Sequence, residues 1–141
     1  MSHVRDIVGS RELYFVRETD TVAAAARRMA DLQCGAILVL DDGRLRGVFS
    51  ERDLMLRVVL ERRDPETTPV SEVMTTKLVT VEDSATAEEA MEQMQAHAIR
   101  HLAVTHGDQA VAFLSMRDLM HHELSRQTDE LHHMRAYIHS A

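Results

Sequence analysis

Two short stretches carry the side chains most able to do chemistry. GVFSERDLM occupies positions 47–55 and AFLSMRDLM positions 112–120, each running from apolar residues into Ser-x-Arg-Asp-Leu-Met. A hydroxyl, a guanidinium and a carboxylate thus fall within four residues, twice. The carboxylate of Asp53 or Asp118 can accept both hydroxyls of a ribose. The hydroxyl of Ser50 or Ser115, with the unpaired N–H groups of a helix N-terminus, can meet a phosphate oxygen. Arg52 or Arg117 offers a planar fork for the same group. The pattern also has a purely structural use. Ser at an N-cap with an acid three residues later is a capping box, which stabilises a helix start by about 1 kcal/mol. Capping accounts for the Ser and the Asp and does not require the Arg. Both readings stand on the residues alone.

The elements that position these groups repeat as well. Shifted by 65 positions, the chain aligns with itself without a gap from Leu13 to Met55, pairing Val16 with Val81, Met29 with Met94, Val39 with Val104 and Ser50 with Ser115. Upstream, VRDIV at 4–8 resembles VSEVM at 70–74 with one residue of slippage. In each copy a short apolar pair, Phe15-Val16 or Leu78-Val79, predicts a brief strand. Asp20 or Ser84 is placed to cap a helix whose apolar residues follow a 3.6-residue period. AILVL (36–40) and HLAVT (101–105) are strand-like. Asp42-Gly43 and Gly107-Asp108 are hairpin turn signals leading into a second strand. Ser50 or Ser115 then opens a further helix. The fold class is α+β, two β-α-β-β-α repeats, and a lone copy would leave one sheet face bare, so the copies are expected to pack through their sheets. Residues 1–61 form the first motif, 62–69 (RRDPETTP) a proline-marked linker, and 70–141 the second motif with a C-terminal helix.

Composition narrows the function. The 141 residues carry a net charge of -7, against a nucleic-acid footprint, which is usually basic. No apolar run approaches the roughly 20 residues of a membrane span, and the N-terminus lacks a signal-peptide core, so a cytoplasmic protein is expected. Cys34 is alone, which precludes an internal disulfide and makes it a small apolar residue. Five of nine histidines lie in the tail without metal-ligand spacing, and no metal site is expected. There is no Walker loop, no G-x-S-x-G elbow and no Cys-His constellation, so no enzyme is expected.

The stretches CGAILVLDDGRLRGVFSERDL and IRHLAVTHGDQAVAFLSMRDL resemble the CBS-domain pair, the regulatory module named after cystathionine β-synthase. The resemblance covers nearly the whole chain and is strongest to small bacterial CBS-pair proteins, which often read S-E-R-D in one copy and I-R-H-L-P-V in the other. It implies a pseudo-twofold pair with two clefts, an adenosine-containing ligand (AMP, ADP, ATP, NAD or S-adenosylmethionine), and regulation of an unidentified effector protein. It further implies that backbone near Ala36-Ile37 and His101-Leu102 meets the adenine edge, with Val16 and Val81 nearby. The copies differ. Gly35-Ala36 faces Arg100-His101 in the alignment, Gly47 faces Ala112, and Ala103 stands where the family usually has Pro. Arg100 and His101 add phosphate-directed groups to the second copy.

The tail carries one more pattern. Met120, Leu124, Leu131, Met134 and Ile138 follow an a/d heptad with Gln127 as its polar gap. That seam either folds back on its own domain or joins two protomers, and a homodimer is expected.

Overall fold

The computed structural model describes residues 2–140. Its elements are α1 (Val4–Val8), β1 (Phe15–Arg17), α2 (Val22–Leu32), β2 (Ala36–Asp41), β3 (Arg44–Ser50), α3 (Glu51–Asp53, continued by a wide π-type turn over Leu54–Val59), a 3₁₀ turn (Val70–Glu72), β4 (Thr80–Glu82), α4 (Ala87–His97), β5 (His101–His106), β6 (Gln109–Ser115) and α5 (Met116–Ser140). The strand order is β1-β2-β3-β6-β5-β4. Each half has a parallel outer pair and an antiparallel hairpin, and the halves join at Arg44↔Gln109.

The local reasons follow the sequence, with two shifts. Thr21 and Thr86 cap α2 and α4, their hydroxyls accepting from Ala24 N and Glu89 N. Asp20, expected as a cap, instead accepts from Arg17 N at 2.8 Å and closes the turn before the helix. The strand expected at Leu78-Val79 lies at Thr80–Glu82, which puts Val81 beside Val104 as Val16 sits beside Val39. Asp42 and Gly43 both have positive φ, the geometry a two-residue hairpin favours.

Strand alternation sends alternate residues to opposite faces. Ile37 and Val39 enter the first half's core, while Leu38 and Leu40 meet Ala103 and Ala110 in a cluster between the halves. The two copies therefore do pack through their sheets. The outer cores are not built from contiguous sequence. Val4 and Val8 of α1 lie in the second half's core with Val81, Leu102 and Leu114. Val70, Val73 and Met74 lie in the first half's core with Val16, Val22 and Phe49. Each half thus lends an N-terminal strap to the other. The 62–69 segment is exposed through Thr67 but tied to α2: Thr68 is buried, and the carbonyls of Pro65 and Thr68 accept from Ala23 N and Val22 N at the start of the helix.

Candidate functional site

The two Ser-x-Arg-Asp turns are built alike and end up in different surroundings. Ser50 caps α3, accepting from Asp53 N, while Asp53 accepts from Ser50 N. Ser115 and Asp118 make the same exchange, Ser115 N to Asp118 Oδ2 at 2.8 Å and Asp118 N to Ser115 Oγ at 3.0 Å. Both are capping boxes in fact.

In the first half the carboxylate is consumed. Asp53 Oδ2 also accepts from Ser50 Oγ and Oδ1 from Thr75 Oγ1, each at 3.0 Å. Arg57 lies 3.7 Å from Oδ1 and donates to Met74 O at 2.9 Å. The Asp53 side chain is 8% exposed. The strap over it is close because residue 47 is glycine: a Cβ there would stand 2.5 Å from Met74 Sδ and 2.9 Å from Thr75 O. Ser50, Arg52 and Asp53 line none of the described clefts.

In the second half the corresponding strap carries Gly9 where the first carries Thr75, so the strap offers no hydroxyl to Asp118. Arg11, two residues on, reaches it instead: Nη1 donates to Oδ2 at 3.1 Å, while Nε and Nη2 donate to Val8 O and Ile7 O. The Asp118 side chain is 25% exposed. Burial raises its carboxyl, but the bonds from Ser115 and the Arg11 guanidinium outweigh that, and it sits below its ordinary value of 3.8.

Asp118 opens into a cleft of about 560 Å³ between the halves, within the range of small-molecule sites. From the second half come Arg100, His101, Phe113, Ser115, Met116, Arg117 and Asp118; from the first come Tyr14, Cys34, Gly35, Ala36 and Ile37, with Arg11 and Glu12 from the connecting strap. Three arginines against Glu12 and Asp118 make it a basic recess in an acidic protein. The His101 and Phe113 rings lie 5.0 Å apart. Burial pushes the His101 imidazole below its ordinary 6.5, with Asp118 pulling it up and Arg100 down. Burial also raises the Cys34 thiol.

Of the residues singled out from sequence, Ala36, Ile37, Arg100, His101, Ser115, Arg117 and Asp118 come together here. Val16, Val81 and Leu102 do not: all three are core residues and line no described cleft. Arg11, Glu12, Tyr14, Cys34 and Phe113 also line it and were not singled out as site residues. Arg11 lies where the self-alignment slips by one residue, so no spacing pointed to it. Among the described residues no group of three or more His, Cys, Asp or Glu could hold a metal ion, and no helix is long and apolar enough to cross a membrane.

The family model for the CBS domain matches residues 4–60 and 70–125. The chain belongs to the CBS-domain family. It is 34% identical over 128 residues to the CBS domain-containing protein YhcV of Bacillus subtilis (strain 168), covering 91% of this chain and 90% of that one. The solved structure of a protein with CBS domains from Burkholderia ambifaria MC40-6 superposes with a TM-score of 0.80 at 33% identity, over 90% of this chain and 96% of that chain. The structure of CBSX2 in complex with AMP shares the fold, with a TM-score of 0.78 at 22% identity over 90% and 99% of the two chains. CBS pairs are generally regulatory rather than catalytic.

Proposed function

We propose that this CBS pair is a regulatory, ligand-sensing module that takes an adenosine-containing nucleotide into the Asp118 cleft. The observation that carries the reading is the half-open, ionised Asp118 carboxylate at one end of a basic recess between the two halves. Asp118 offers its second oxygen to a ribose diol. Arg100, Arg117 and Arg11 supply charge for phosphate, which bidentate guanidinium contacts suit. The Gly35–Ile37 strand edge and the His101–Phe113 pair offer a flat polar edge and a ring face to a purine. That CBSX2 holds AMP on the same fold is consistent with this choice of ligand. As a module of two CBS domains, the chain would act by changing shape, its association with a second copy, or its grip on an effector protein.

For the first half a second reading is favoured. Asp53 already satisfies Ser50, Thr75 and Arg57, so its Ser-x-Arg-Asp turn serves to start a helix and hold a strap.

Calorimetry and thermal melting with AMP, ADP, ATP, NAD and S-adenosylmethionine test the proposal. One ligand per chain is expected. At 100 times the dissociation constant the ligand should add about 2.7 kcal/mol, a melting shift of a few degrees. A flat response to all five would assign the module a structural or partner-binding role with both clefts empty.

A further inference from the structure

We propose that α5 joins a second copy of this chain in a parallel, in-register two-stranded coiled coil. From Leu124 to His139 every residue of α5 is exposed, so the helix leaves its own domain instead of folding back on it. A lone helix of roughly that length is marginal in water. Something must cover its apolar stripe, and the stripe states what. Met120, Leu124, Leu131, Met134 and Ile138 are each between 49% and 65% exposed. With Gln127 they step by 4, 3, 4, 3 and 4 residues, an unbroken d-a-d-a-d-a seam.

A helix with that seam fits a copy of itself, and two features choose the orientation. Gln127 is the polar residue of the seam. In a parallel pair it faces Gln127 of the partner subunit, and two amides can bond each other. In the antiparallel register that keeps all six layers it faces a leucine, and a buried amide without a partner is costly. Glu130 falls at g and Arg135 at e. A parallel pair sets each Glu130 against the partner's Arg135, five residues along, whereas an antiparallel pair sets Glu130 against its own twin. Both features favour the parallel arrangement. The family match ends at residue 125, so most of this seam is an addition to the common module. The inference does not depend on whether the Asp118 cleft holds a nucleotide.

The test uses the full chain, with substitutions at exposed positions of the seam and its flanks, where Gln127 bonds Glu123 of its own helix. Light scattering and sedimentation should report a dimer at micromolar concentration. Leu131→Lys should weaken it about tenfold or more, with the far-ultraviolet spectrum of the domain otherwise retained. Glu130→Lys should weaken it a few-fold, and Glu130→Lys with Arg135→Glu should restore it. In a Cys34→Ser background, Gln127→Cys should form an intermolecular disulfide on oxidation. A full chain that stays monomeric overturns the proposal. So does a dimer indifferent to Leu131→Lys, which would rest instead on another apolar face such as Met55 and Val59. A disulfide that forms only when Gln127→Cys and Leu131→Cys chains are mixed would show antiparallel pairing and overturn it equally.

Discussion

Arg11 and Asp118, 107 positions apart in the chain, form an ion pair at 3.1 Å across the mouth of the cleft. The pair ties the strap behind α1 to the carboxylate that would hold a ribose. Both partners are partly exposed, so its direct worth to stability is small. Its larger effect is on the state of the site: after the bonds from Ser115, it helps hold the Asp118 carboxyl below its ordinary value, and it leaves a cation beside it.

Replacing Arg11 by Met should therefore barely move the melting temperature while weakening phosphate-bearing ligands. A bond to a charged group contributes roughly 1.5–3 kcal/mol, or about 10- to 150-fold in affinity. The measurement is calorimetry with AMP and with adenosine. Equal losses for both would mean that Arg11 acts on the carboxylate alone and not on phosphate.

The two aspartates should separate. Asp118→Asn removes the charge from an open site, so nucleotide affinity should fall by about 10- to 150-fold with little change in unliganded stability. Asp53→Asn alters a buried, fully bonded carboxylate, so stability should fall by about 1–3 kcal/mol with affinity preserved. Titrating and melting both variants checks this. Equal affinity losses would revive a second, equivalent ligand site at Asp53.

Acid should destabilise the fold in two steps. His101 has its folded pKa lowered by burial, so the unfolded chain binds the extra proton first, and stability falls as pH drops below 6.5. Asp118 is also lowered, so its contribution is complete above 3.8 and is lost as pH falls through the depressed folded value. Urea midpoints at a series of pH values should show both, and His101→Gln should remove the first step and leave the second. An unchanged slope between pH 7 and 5 in that variant would assign the first step to another histidine.

Gly47→Ala should cost about 1–3 kcal/mol by overpacking against Met74 and the Thr75 carbonyl. Ala112, its counterpart, already carries a Cβ in the second half. Ala112→Gly should therefore cost less than Gly47→Ala in parallel melts. The reverse order would mean that the Met74 side chain yields freely.

The repeat, the hairpins and the Ser-capped helix starts were legible because each rests on local chemistry: Asp42-Gly43 turns a chain whatever lies around it. Val16, Val81 and Leu102 show the limit. A β-favouring valine reads the same whether its side chain enters a core or a cleft, and only the assembled sheet decides. The exchange of straps was hidden for a related reason, since VRDIV and VSEVM fit either core. So was the difference between the clefts, which turns on Thr75 against Gly9 and on a contact from Arg11 that no local spacing encodes.

The crossed straps make this duplicated chain indivisible. Neither half owns a complete core: the first lacks Val70, Val73 and Met74 without the second, and the second lacks Val4 and Val8 without the first. Cutting between Leu60 and Pro69 would leave two fragments, each holding a piece of the other. Separately they should be molten; mixed, they should reassemble into one body that melts in a single transition, because each supplies the apolar side chains the other's cavity requires.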